Sequence, residues 1–204
     1  MNLTKKPRWF YLLLVLGIDL FTLAILEQVN PKNSQSIVIL TLFIIGFIIL
    51  IFFQKMASLK TSYFKTKDFL FGIIGLTIWQ YGIGFIKHYF HLGISSNQQY
   101  FEQTLHQINP IYLFFYVVLL SPIMEEYLFR GLIFLKAFNG TWIGLALSGL
   151  AFGIAHTPTN FLDLMLYVGS GLILGYITSK TEHLETSVAI HATNNLIAYC
   201  WLFL

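Results

Sequence analysis

Long apolar runs separated by short polar connectors set the pattern of this chain. The runs extend from about Trp9 to Leu26, Ser36 to Phe53, Phe69 to Ile86, Pro110 to the Asn139-Gly140 dipeptide, Thr141 to His156, Phe161 to Ser179 and Ser187 to Leu204. Most approach the ~20 apolar residues that carry a helix across a hydrocarbon core about 30 Å thick. Backbone polar groups in that layer are satisfied only in helices or closed barrels, so runs of this length read as helices. The pattern predicts an all-α fold, a polytopic transmembrane helical bundle of about seven spans.

The connectors orient it. Lys5, Lys6 and Arg8 precede the first run, and Lys55, Lys60, Lys65 and Lys67 lie between the second and third. The positive-inside rule makes both regions cytoplasmic, turns the connectors Glu27 to Gln35 and Lys87 to Asn109 outward, and leaves the C-terminus outside. The first run could be a signal peptide, but its length and the lack of a small-x-small cleavage site after it favour a spanning helix. Asp19 within it is expected to face other helices or water, as intramembrane acids do. Asn139-Gly140 is a turn dipeptide, Pro158 stops the fifth run, and Gly171 and Gly175 make a G-x-x-x-G spacing that lets another helix approach closely.

Composition agrees. The 204 residues are 56% hydrophobic and 10% charged, with a mean hydropathy of +0.71. A formal charge of +3 is too small to suggest nucleic acid as a partner. The single cysteine, Cys200, excludes an intrachain disulfide and any cysteine metal cluster. Residues 1–109 form a three-span region without chemical motifs, and residues 110–204 a four-span region that carries them all.

Polar residues inside that second region need a reason, because unpartnered polar groups in apolar helices cost several kcal/mol. Glu125, Glu126 and Arg130 close the fourth run. On a helix Glu126 and Arg130 are four apart and share a face, with the acid N-terminal to the base, the favourable order for an ion pair. Glu125 is rotated about 100° away and remains available for other partners. Glu125 lies 15 positions before Gly140 and His156 lies 16 after it, so a hairpin about that turn lets them face one another. His191 and Asn195, in the seventh run, share a helix face. Regular spans, however, would hold His156 and His191 at different depths.

A carboxylate, two imidazoles and an amide can activate water in two ways. Glu125, His156 and His191 could bind zinc, which turns a bound water into a nucleophile near neutral pH. Without a metal, Glu125 could act as general base on a water oriented by His156, with His191 and Asn195 donating to the oxyanion. Glu126 and Arg130 then form a supporting clamp. Phe152 is expected to pack beneath His156, and Gly171 and Gly175 to be helix contacts.

In order, Glu125-Glu126-x-x-x-Arg130, Phe152-x-x-x-His156, Gly171 to Gly175 and His191-x-x-x-Asn195 resemble the CPBP family, the CAAX proteases and bacteriocin-processing enzymes also called Abi. The resemblance covers about Pro110 to Leu204. It implies an intramembrane endopeptidase, with Glu125 and His156 activating water and His191 and Asn195 supporting the oxyanion, and it leaves open whether zinc takes part. The expected partners are membrane lipid and a hydrophobic or lipid-modified peptide or protein substrate. Two alternatives stand beside hydrolysis: a non-proteolytic scaffold, for instance in bacteriocin self-immunity, and acyl transfer on a lipid-anchored protein.

Overall fold

The computed structural model describes residues 66–105 and 110–202, of which 86% are helical and none lie in strands. The first two apolar runs and Asp19 lie outside the described residues. Helix α1 is Thr66–Tyr89 and α2 is Ser96–Leu105. A mixed helical rod follows: α3 (Pro110–Phe114), the π-helical segment π1 (Phe115–Leu120), α4 (Ser121–Glu125) and a second π-helical segment, π2 (Glu126–Ala137). Three helices complete the order: α5 (Trp142–Ala155), α6 (Phe161–Thr181) and α7 (Leu184–Trp201). Helix α2 falls in a connector too polar to have suggested an apolar element.

Length and apolar character qualify α1 and α6 to cross a membrane, while α5 is a shorter apolar helix. The described residues thus support a helical membrane protein. Local signals explain the boundaries. Asn139 and Gly140 both take left-handed backbone angles, with φ of 51° and 69°, which turns the chain between π2 and α5. Thr141 then caps α5, its hydroxyl accepting from the Gly144 amide at 3.2 Å, and Asn160 caps α6 through the Asp163 amide at 2.9 Å.

Helices α5 and α6 meet along small residues. A Cβ on Gly171 would sit 3.0 Å from Gly149 Cα, and one on Gly175 would fall 2.4 Å from a Leu145 methyl, so both glycines are helix contacts as expected. Helix α1 brackets α6 with ion pairs of opposite polarity, Asp68 to Lys180 at one end and Lys87 to the fully buried Asp163 at the other. Between them, Trp79 donates to the Leu166 carbonyl at 3.0 Å and lays its ring against Gly169. Leu76, Leu174, Ile177 and Ile190 fill the core between α1, α6 and α7.

This packing separates two kinds of glycine. A Cβ at Gly153 would lie 2.4 Å from Val168 Cγ2 and 3.1 Å from its backbone nitrogen, whereas nothing lies within 4 Å of one at Gly84. Gly153→Ala is expected to cost about 1–3 kcal/mol of stability by overpacking. Gly84→Ala is expected to be neutral or to gain up to about 1 kcal/mol. Unfolding midpoints in detergent check the contrast, and equal midpoints would contradict the helix contact.

Candidate active site

The two adjacent glutamates stand at the junction of α4 and π2. Hydrogen bonding switches there to the five-residue spacing, as in the 3.1 Å bond from the Phe138 amide to the Ile133 carbonyl that closes π2. Glu126 and Arg130 are both fully buried. Glu126 Oε1 accepts from Arg130 Nη1 at 2.9 Å and from His191 Nδ1 at 3.0 Å. Arg130 also donates from Nη2 to the Gly171 carbonyl at 3.0 Å, and its guanidinium lies 4.4 Å from the centre of the Phe152 ring. The clamp expected between Glu126 and Arg130 is therefore also the holder of His191.

Glu125 takes a different environment. One carboxylate oxygen, Oε1, accepts from Ser121 on the preceding turn. The other, Oε2, is buried and has no hydrogen-bond partner. It faces His156 Nε2 at 3.8 Å and His191 Nε2 at 3.9 Å, beyond direct hydrogen-bond reach.

The two histidines meet because their helices are unequal. At 1.5 Å per residue the fourteen residues of α5 rise only about 21 Å, so its cap, His156, ends inside a layer about 30 Å thick. The imidazole leans back along the helix, as helical side chains do, and Nδ1 bonds the Phe152 carbonyl at 2.8 Å. The ring of Phe152 lies under both imidazoles, with centroids 4.4 Å from His156 and 5.7 Å from His191.

These bonds assign the tautomers. A carbonyl and a carboxylate only accept, so each histidine donates from Nδ1 and a neutral ring turns the lone pair of Nε2 towards Glu125. Three acceptors therefore converge on one point. A buried arrangement of that kind is costly until a donor or a cation enters it. One water, with two hydrogens to give, satisfies two of the three and keeps its own lone pairs.

The donor types also suit zinc, which takes imidazole nitrogen and carboxylate oxygen. Tetrahedral zinc with bonds of about 2.0–2.2 Å sets its ligand atoms roughly 3.4 Å apart, closer than those measured here. Among the described residues, no group of three or more His, Cys, Asp or Glu side chains could hold a metal ion as placed.

Of the residues expected from the sequence, Glu125, Glu126, Arg130, His156 and His191 come together. Asn195 donates instead to the Val117 carbonyl at 2.9 Å, tying α7 to π1. Two neighbours of the site were missed. Ser121 precedes Glu125 by one turn, and the i, i+4 spacing could have revealed it. Tyr167 stacks on His156 with ring centroids 4.4 Å apart and an interplanar angle of 19°, and no local pattern pointed to it.

Residues 107–197 match the family described as type II CAAX prenyl endopeptidase Rce1-like. This is a membrane protease family, and it agrees with the resemblance carried by the motifs. Among curated proteins, the chain is 33% identical over 94 residues to the membrane-embedded CAAX protease MroQ of Staphylococcus aureus, covering 42% of this chain but 37% of that protein. It is 24% identical over 177 residues to the protein named "Putative membrane peptidase YdiL" of Bacillus subtilis, covering 81% of this chain and 71% of the relative. Similarity to the UPF0177 protein YbdI of Lactococcus lactis is 23% over 165 residues, covering 74% and 90%. No solved structure matches the chain.

Removing one partner from a buried pair leaves an uncompensated charge. Arg130→Met is expected to cost about 3–5 kcal/mol, while the double variant Glu126→Gln/Arg130→Met regains much of that loss. Thermal unfolding of the three proteins in detergent measures the difference, and a double variant no more stable than Arg130→Met would rule out the pair as the source.

Proposed function

We propose that this protein hydrolyses a peptide bond in a hydrophobic, membrane-associated or lipid-modified substrate, using a water held between Glu125 Oε2 and the Nε2 atoms of His156 and His191. The observation that carries this reading is the convergence of those three acceptors, at 3.8 and 3.9 Å, in a largely buried site. The match to a membrane CAAX endopeptidase family supports the reaction class.

In this reading Glu125 takes a proton from the water as its oxygen attacks the substrate carbonyl carbon. The C–N bond of the resulting tetrahedral adduct breaks, the amine leaves with the proton held by Glu125, and the new carboxyl terminus releases the water's second proton to solvent and becomes a carboxylate. His156, fixed through Nδ1 to the Phe152 carbonyl, orients the water. A neutral His191 only accepts at Nε2, so it aids the oxyanion once that atom has taken up a proton from solvent. Glu126, already bonded to Nδ1, stabilises that imidazolium, which is the work of the carboxylate in a Ser-His-Asp triad. With Asn195 engaged at Val117, we assign oxyanion support chiefly to His191 and give Asn195 the role of fixing α7.

Purified protein in detergent, given a prenylated peptide with a C-terminal CAAX sequence, is expected to release a product gaining the mass of water. Glu125→Gln should reduce this by about 10²–10⁴-fold while leaving unfolding cooperative. Undiminished cleavage by that variant would sink the proposal. Metal analysis of active wild type beside His156→Ala decides between the two routes: zinc present in the first and lost in the second assigns water activation to the metal, and none in an active enzyme assigns it to Glu125.

A further inference from the structure

The proposed reaction needs His156 to hold Nε2 towards Glu125, yet the hydrogen bond to its helix fixes only one edge of the ring. The plane of the ring is set from elsewhere. Tyr167 of α6 lies nearly parallel to it, and the phenol hydroxyl is 2.8 Å from the hydroxyl of Ser95, a buried residue just before α2. The next residue, Ser96, donates to the carbonyl of Thr157, immediately after His156, at 2.5 Å, and its oxygen is 3.3 Å from the Thr157 hydroxyl. Thr157 has a φ of 48°, which is costly for a β-branched residue and persists only where neighbours enforce it. Two consecutive serines thus hold the neighbours of the imidazole, one its stacking partner and the other the next residue in the chain.

We infer that Tyr167 is a positioning residue for His156, with Ser95 and Ser96 as the two anchors of a brace that aligns Nε2 with Glu125. The inference deepens the proposed reaction and rests on it for its kinetic consequence, though not for its structural one. The anchors are the last residue of the link between α1 and α2 and the first residue of α2, outside the motif helices, so alignment of the site depends on a segment without catalytic motifs. Stacking sets the ring plane, and the hydroxyl contact keeps the phenol from sliding off it.

Nitrogen NMR of histidine-labelled protein in detergent reads the tautomer and ring mobility directly, without any substrate. Wild type should show a single His156 environment protonated at Nδ1, while Tyr167→Leu should show exchange broadening or a second tautomer. With the prenylated CAAX peptide as probe, Tyr167→Leu should lower kcat about tenfold or more with KM within about twofold, the mark of misalignment. Tyr167→Phe, which keeps the ring, should recover most of that loss. Ser95→Ala and Tyr167→Phe should be less than additive, since Tyr167→Phe already removes the Ser95 contact, together with one to the Asn97 side chain.

An unchanged His156 spectrum in Tyr167→Leu, or additive effects in the cycle, would overturn the inference. If Tyr167→Leu does not fold, Tyr167→Met, which likewise removes the stacking ring, decides it by the same criterion. Because these spectra report on the ring irrespective of turnover, a failed brace is distinguishable from a failed hydrolytic reading, which the Glu125→Gln assay decides.

Discussion

A fully buried carboxylate is the constraint around which these helices are arranged. Glu126 cannot remain charged in an apolar interior without compensation, and the compensation comes from two directions: Arg130 on its own helical segment and His191 on α7. Arg130 carries the same demand and extends it to the Gly171 carbonyl of α6 and the Phe152 face of α5. One acid thus ties together π2, α5, α6 and α7. The cluster holds these elements in one relative position because any displacement leaves a buried charge short of a partner.

Close helix packing makes that arrangement attainable. Arg130 meets the Gly171 carbonyl where α5 and α6 approach at Gly149 and Gly171, without side chains between their backbones. Helix α1 fixes α6 from its other side by the paired clamps Asp68 to Lys180 and Lys87 to Asp163. The region without catalytic motifs therefore contributes architecture to the region that has them.

Environment divides the labour of two identical, adjacent side chains. Glu126, which accepts from both Arg130 and His191 on Oε1, is fitted to orient and to stabilise positive charge on His191. Glu125 is bonded on one oxygen by Ser121 and left open on the other, where two imidazole nitrogens look on. A buried acceptor without a donor is costly, so it is suited to take hold of a water. The separation of roles follows from the rotation of about 100° between neighbouring helical positions and the different walls that each then meets.

Much of this was legible in the chain itself. Apolar run lengths marked the five described helical regions of the core, Asn139-Gly140 marked the turn, and the i, i+4 spacing paired Glu126 with Arg130. The motif positions named five residues that do converge; covalent spacing on each helix determines which of them share a face, and the packing of the helices brings those faces together. Tertiary structure decided the rest. The π-helical segments follow a hydrogen-bond register that apolar periodicity does not encode, and α2 arose in a connector with no apolar run. The meeting of His156 with His191 depended on the short rise of α5 and the tilt and contact of separate helices. Likewise, Glu126 rather than a free solvent path became the partner of His191, Asn195 turned to Val117, and Tyr167 came to lie on His156. Such pairings join residues far apart in the chain, so they are set by how whole helices pack and by the cost of leaving buried polar atoms unmatched, neither of which a local pattern records.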